Sequence, residues 1–253
     1  MKIIVLGLGS IGTRHAANMR EMSTVELVTA DPEPRRQSVD YHDWRKCVIE
    51  NIDSHGAIIA SPSEWHLEQM LLLNTVGIPF FVEKPICLRD QVDALCHVLA
   101  GRVSHKCAVG FCYRFHPITD AVYSDRELHF RASEALFGRY GATVGETMGS
   151  HSIDLACHLL GQPEAVTLRD TGTTLSGMVK HSHGVSYYDM HIDGAGRDST
   201  INGIPVPPDD NMYKAEIRAW MGLIRGISRD KRLATLRDGV KVASVLQAAT
   251  RTS

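Results

Sequence analysis

The chain opens on MKIIVLGLGSIG, and this stretch limits the fold more sharply than any other. Residues 3–6 are apolar without a break. A strand with one wet face alternates polar and apolar residues. A continuous run belongs to a strand covered on both faces, as in parallel sheets whose crossover helices pack above and below. The run ends on glycines at 7, 9 and 12, which permit a tight turn, and the spacing of residues 11–22 then predicts a helix. The alternation repeats as far as residue 112. VELVTA, GAIIA, IPFFV and KCAVGF read as buried strands. The stretch around Trp44, residues 64–76 and RDQVDALCHVLAG read as the helices between them. The pattern predicts a Rossmann-type α/β domain with a parallel sheet over residues 1–113.

After RFHP the period changes. ELHFRASEAL, EAVTLRD, TLSGMVKHSHG and VSYYDMHIDG read as successive strands parted by glycine-containing turns, with no helix between them long enough for parallel crossovers. HSIDLACHLLG is a helix stopped by Gly161, residues 210–225 and 238–250 are two more, and NGIPVPPDD reads as a surface loop. Residues 114–253 are therefore expected to form an α+β domain with a short, mainly antiparallel open sheet of few strands.

Charge narrows the partners. The formal net charge is −2, which gives no electrostatic case for nucleic acid or an anionic membrane. No apolar run approaches the ~20 residues of a membrane span, and MKIIVLG is too short for a signal peptide. The six cysteines (47, 87, 96, 107, 112 and 157) form no CxxC pair and sit mostly in apolar surroundings. They read as reduced core thiols, so a cytoplasmic location is expected.

Two motifs carry chemistry. GLGSIG places Gly7, Gly9 and Gly12 in GxGxxG spacing, with Ser10 and Ile11 opening the following helix. Asp31 stands at the end of the second strand, 19 residues after Gly12. A tight turn, close backbone approach and a helix N-terminus together suit a dinucleotide pyrophosphate, and an acid at the second strand suits the ribose hydroxyls. Asp31 would repel a 2′-phosphate, which favours NAD over NADP; Arg35 and Arg36 are the counter-signal. The second motif is FVEKPI. Its strand ends on Glu83 and Lys84 before Pro85, at the carboxyl edge where parallel sheets bind ligands. A lysine there can donate to a reacting oxygen and stabilise an alkoxide, although a solvated strand-end lysine has the same sequence.

With these pieces in order the chain resembles the Gfo/Idh/MocA family of NAD(P)-dependent oxidoreductases, which act mainly on sugars and cyclitols. The matching stretches are VLGLGSIGTRH, AIIASPSEWH, VEKPI, VGFCYRFHP, GSHSIDLACHLLG and DGVKVASVLQAAT, almost end to end. The resemblance implies that Lys84 sits where nicotinamide meets substrate, and that Glu83 orients the cofactor side or Lys84. Ser61 and Pro62 would lie along the dinucleotide, with His66 opening toward the same crevice. Arg114 would sit near the nicotinamide or the substrate. Cys112 stands where asparagine is frequent in the family.

The resemblance also makes His151 the acid/base, in keeping with an imidazole's titration near neutral pH. The family's carboxylate four residues earlier is replaced by Thr147, with Glu146 beside it. Asp154, one turn after His151, would orient it or touch a sugar hydroxyl, while His158, His181 and His183 read as packing and strand residues. A zinc site of His151, Asp154 and His158 is compatible with the spacing, but a nicotinamide enzyme with this lysine needs no metal, and none is expected. The implied function is hydride transfer between NAD and a secondary alcohol or ketone of a sugar, sugar derivative or cyclitol, a nucleotide-linked or polysaccharide-precursor sugar included. A homo-oligomer through the second-domain sheet is expected. Two alternatives stay open: a reductase of an imine or tetrapyrrole, and an NAD(H)-binding sensor.

Overall fold

The computed structural model describes residues 1–22, 24–33, 38–101, 103–134, 143–192 and 197–251. The chain divides into two compact units. One holds Met1–Gly110 with Tyr213–Leu236, the other Phe111–Met212 with Arg237–Ser253.

The first unit alternates β1 (Lys2–Leu6), α1 (Ser10–Arg20), β2 (Glu26–Ala30), α2 (Trp44–Glu50), β3 (Gly56–Ile59), α3 (His66–Thr75), β4 (Phe80–Glu83), α4 (Val92–Ala100) and β5 (Ala108–Gly110). The strands lie in the order β2-β1-β3-β4-β5, all parallel. Every residue of β3 and β4 is buried, as the unbroken apolar runs require. The chain leaves β1 toward β2 and later returns on the other side with β3. The order therefore reverses between β1 and β3, the kind of crevice in which open α/β sheets take their ligands. Two predicted helices begin as a tighter 3₁₀ turn, Ser63–Trp65 before α3 and Arg89–Gln91 before α4. Such turns are common where a helix starts.

The second unit contains α5 (Ile118–Ala121), β6 (Glu127–Glu134), α6 (Ser150–Leu160), β7 (Pro163–Asp170), β8 (Thr174–His181), β9 (Gly184–His191), β10 (Arg197–Ile201) and β11 (Ile204–Pro205). Then α7 (Asp210–Ile224) carries the chain back to the first unit, and α8 (Leu236–Ala248) and β12 (Thr250–Arg251) close the second. Among the described residues its sheet has seven strands, in the order β11-β10-β6-β9-β8-β7-β12, where few were expected. Three of them carry no periodic signal in the sequence, because β11 and β12 have two residues each and β10 is the polar RDSTI. β11 lies in the predicted loop NGIPVPPDD, joined to β10 by a turn with Asn202 at φ 53° and Gly203 at φ 79°. Most pairs are antiparallel, but β6 with β9 and β7 with the short β12 run parallel. The crossover from β6 to β9 is supplied by α6, β7 and β8 together, so no long helix was needed. Ile153, Leu155, Ala156 and Leu160 of α6 and Leu128, Leu175 and Val179 of the sheet are all fully buried. A Cβ on Gly149 would lie 2.6 Å from Leu175 Cδ2, so the entry to α6 is as close to β8 as a glycine permits.

The sequence pattern places a single boundary near residue 113. By contact, residues 213–236 return to the first unit. Trp220 on α7 is fully buried, with its ring 5.8 Å from Phe81 of β4 and its Nε1 donating to Lys106 O at 3.0 Å. Burying such a side chain contributes about 1.5–3 kcal/mol or more. Beyond the helix, Arg229 donates to the carbonyls of His105 and Cys107, and Val109 of β5 bridges to Ala234. An amphipathic helix states that it has a partner, not which one.

Candidate active site

The predicted residues fall into two sets, one in each unit. In the first unit the turn after β1 is built to glycine's dimensions. Gly7 has φ +88°, and a Cβ on it would lie 2.6 Å from the backbone of Ser61. On Gly12 a Cβ would lie 1.9 Å from Gly7 O, so α1 is packed directly against the turn. Gly9 differs, because a Cβ there would have nothing within 4 Å. Gly9 and Ser10 are exposed and Ile11 half-exposed, and the first turn of α1 has no side-chain cap and no acid. A helix N-terminus left open beside bare backbone fits an anionic pyrophosphate. Asp31, just after β2, is held by backbone donors: Leu8 N reaches Oδ2 at 2.6 Å, and Glu33 N reaches Oδ1 at 2.8 Å. Its carboxylate is thereby fixed beside the turn, where it can accept from ribose hydroxyls. Arg35 and Arg36 lie outside the described residues.

After β3, Pro62 is exposed, and Ser61 donates its hydroxyl to Gln69 Oε1 at 2.7 Å. His66 does not open toward a crevice. It is 1 % exposed, and its ring nitrogens face two carbonyls, Nδ1 to Pro85 O at 2.8 Å and Nε2 to Ser61 O at 2.9 Å. Burial lowers its pKa, against two acceptors that favour the doubly protonated ring. His66 therefore fastens the turn after β3 to the turn after β4, and its side chain is taken up in doing so.

Glu83 is likewise turned inward. Its Oε1 lies 2.6 Å from Nε2 of His15, which is fully buried on α1, and Gly110 of β5 leaves room for the carboxylate. The acid that precedes the lysine pins the end of β4 to the first helix, and its Oε2 accepts from Lys84 N at 3.3 Å, in keeping with the expectation that Glu83 orients Lys84. Lys84 follows, half-buried, before a cis peptide bond to Pro85.

In the second unit, Thr143 and Glu146 form a reciprocal capping box. Thr143 N donates to Glu146 Oε2 at 2.9 Å, and Glu146 N donates to Thr143 Oγ1 at 3.2 Å. The T-x-x-E spacing was legible, and it assigns Glu146 a cap. Thr147 Oγ1 donates back to Thr143 O at 2.9 Å. A π-helical turn over Gly145–Gly149 then leads into α6. His151 follows on the first turn of α6, half-buried, with its ring stacked on Tyr113 and met edge-on by Phe111.

Arg114 was expected near the nicotinamide or the substrate, and Asp154 to orient His151 or touch a sugar hydroxyl; in the structure the two hold each other. Arg114 is 4 % exposed and Asp154 fully buried, and the guanidinium donates twice, Nε to Oδ2 at 2.8 Å and Nη2 to Oδ1 at 2.6 Å. Asp238 Oδ2 lies 3.5 Å from the same Nη2. Burial works against the Arg114 charge, but Asp154 outweighs it and lifts the pKa above a guanidinium's ordinary range. Such a pair is stable only intact; removing one partner leaves a buried charge. His158, half-buried on the same helix, has its pKa pushed down to about 4 by burial and by Arg114. Cys112 is buried at the start of this segment, within the 3₁₀ turn Cys112–Phe115. His15, Phe111, Tyr113 and Asp238 were not singled out from the sequence, because their parts depend on neighbours far along the chain, and Gln69 meets Ser61 only through the turn between β3 and α3.

Among the described residues no helix is long and apolar enough to cross a membrane. Residues 1–111 match the model of the GFO_IDH_MocA family, an oxidoreductase family with an NAD-binding Rossmann fold. Glucose-6-phosphate 3-dehydrogenase of Bacillus subtilis is 27% identical over 181 residues, 63% of this chain and 51% of that protein. The chain thus spans about half the length of this curated relative. Among solved structures, the WlbA (WbpB) dehydrogenase from Thermus thermophilus, in complex with NAD and UDP-GlcNAcA, is 17% identical. Its TM-score is 0.79, over 100% of this chain and 97% of that one. A myo-inositol dehydrogenase from Corynebacterium glutamicum is 20% identical, with a TM-score of 0.78 over 98% of this chain and 96% of the other. At such identities the likeness is one of fold. Through the glycine turn, the parallel sheet and the match over residues 1–111, the first unit is similar to the NAD-binding Rossmann domain of the Gfo/Idh/MocA oxidoreductase family.

Proposed function

We propose that the chain is an NAD-dependent dehydrogenase that moves a hydride between nicotinamide and a secondary alcohol or ketone of a sugar, sugar derivative or cyclitol. The observation that carries this is the turn after β1, with open space at Gly9, an uncapped α1 N-terminus and the anchored Asp31. Gly9, Ser10, Ile11 and Gly12 would receive the pyrophosphate, Asp31 the adenosine ribose, and Ser61 and Pro62 the stretch between. When bound, the nicotinamide supplies the hydride acceptor or donor. Lys84 would donate a hydrogen bond to the reacting oxygen and stabilise its developing negative charge. His151 would take the hydroxyl proton in oxidation and return it in reduction. Arg114 and Asp154, proposed from the family pattern as substrate contacts, are better read as a buried supporting pair.

The substrate class is drawn from the relatives, whose names give glucose 6-phosphate, UDP-GlcNAcA and myo-inositol. These three compounds, each with NAD or NADP, form the first assay panel. NADH formation with at least one of them, and far less with NADP, is expected. Failure to bind either dinucleotide would overturn the reading. Binding without turnover on any sugar or cyclitol would leave a dinucleotide-binding protein. Self-association through the outward face of the second-unit sheet, where His129 stacks on Tyr187 at 4.6 Å, belongs to the same proposal. Sedimentation of the wild type against Tyr187→Glu tests it.

A further inference from the structure

We propose that Tyr113 is a positioning residue for His151, the platform that sets the plane of the imidazole. The inference rests on His151 being the proton acceptor. The two rings are stacked, with centroids 4.9 Å apart and planes 17° from parallel. Phe111 meets the imidazole from another side, at 6.3 Å and 80°. A histidine on a helix surface can turn about two side-chain bonds. A ring stacked on one side and met edge-on from another has both rotations restricted.

The platform is itself held. Arg114, the next residue, is buried and donates two hydrogen bonds to Asp154, three residues beyond His151 on α6. The turn Cys112–Phe115 and the helix are therefore fastened one residue after Tyr113 and one turn after His151. Sliding one past the other would break a buried bidentate pair. The carboxylates nearest in sequence have other duties: Asp154 gives both oxygens to Arg114, and Glu146 Oε2 accepts from Thr143 N. The π face of a phenol ring also favours a cation placed over it. That is the state of the imidazole once it holds the substrate's proton.

The test uses the full chain, with the panel compound that gives the fastest NADH formation. Tyr113→Leu keeps bulk but removes the stack, and kcat should fall about 10–100-fold, the usual cost of a misplaced catalytic group. KM and NADH affinity should stay within about twofold, since the glycine turn, Asp31 and Lys84 are untouched. Tyr113→Phe restores an aromatic face and should recover most of the loss. Proton NMR gives a readout that needs no substrate. The imidazole resonances missing from His151→Asn should carry an upfield ring-current shift in the wild type and in Tyr113→Phe, and lose it in Tyr113→Leu. If Tyr113→Leu does not fold, Tyr113→Met is read in the same way. An unchanged kcat, or a lowered kcat with unmoved resonances, overturns the inference. If His151→Asn is harmless, the proton-acceptor reading fails and takes this one with it. If His151→Asn abolishes turnover and Tyr113→Leu does not, only Tyr113's part is lost.

Discussion

The two units treat their candidate residues in opposite ways. In the first, the residues expected at the dinucleotide are largely backbone, and the structure leaves them open: Gly9 and Ser10 are exposed at the head of an uncapped helix. In the second, Arg114 was expected near the nicotinamide or the substrate and Asp154 at His151 or a sugar hydroxyl, and the two are buried against each other, 4 % and 0 % exposed. Glu83 and His66 show the same inward turn within the first unit. Charged and imidazole side chains flanking a site can serve as its scaffold, and their residue types alone do not separate the two parts. What does separate them is whether a buried partner already satisfies the polar atoms.

The largest expected effect tests the half-buried imidazole against the buried pair of Arg114 and Asp154. His151→Asn should cost about 10²–10⁴ in turnover, the worth of a positioned proton acceptor, with little loss of stability. Equal turnover in that variant would break the division between working and supporting residues in the second unit. Next comes Lys84→Met, for which turnover should fall about 10²–10³ while NADH affinity, read by fluorescence titration, holds. Near-normal rates would return Lys84 to a surface lysine at a strand end.

Arg114→Met should act in the reverse sense, chiefly on stability. It leaves the buried Asp154 without its partner, and denaturant unfolding should show a loss of about 3–5 kcal/mol. A variant as stable as wild type but unable to use substrate would make Arg114 a ligand contact after all. Asp31→Ser touches the open half only. The wild type should bind NADH at least tenfold more tightly than NADPH, about 1.4 kcal/mol. The substitution should narrow that gap by removing repulsion of a 2′-phosphate, and equal wild-type affinities would defeat the assignment.

The smallest effect is at His158. Its folded pKa, near 4, lies below the ordinary 6.5, because burial and Arg114 oppose its charge. The unfolded chain therefore takes up the proton first as pH falls, and stability drops between about pH 6.5 and pH 4. His158→Gln should flatten that part of the curve of stability against pH. An unaltered slope would mean that the histidine is solvated.

Much of the fold was legible because it follows from local rules. Unbroken apolar runs separated by helical spacing imply a buried parallel sheet, and β1 to β5 lie where those runs are. The glycine turn was legible for a similar reason. What Gly7 and Gly12 must permit is decided within a few ångströms of backbone, although Gly7 also depends on the approach of Ser61. β10, β11 and β12 escaped notice because polar or two-residue strands have no period to read. The parallel β6–β9 pair escaped because pairing direction depends on the route between strands and not on their composition.

The sequence by itself determined the class of the first unit, the place of the glycine turn and its acid, and which residue types stand at the ends of β4 and on α6. Each of these follows from short-range sterics or from a periodicity of apolar residues. Only the tertiary structure decided that α7 closes the first unit through Trp220, that Glu83 turns to His15, and that Arg114 and Asp154 neutralise each other in a buried pair. The reason is physical. A charged side chain buried away from water must find a counter-charge or donor, and which one it finds depends on residues tens of positions away that only folding brings within hydrogen-bonding distance.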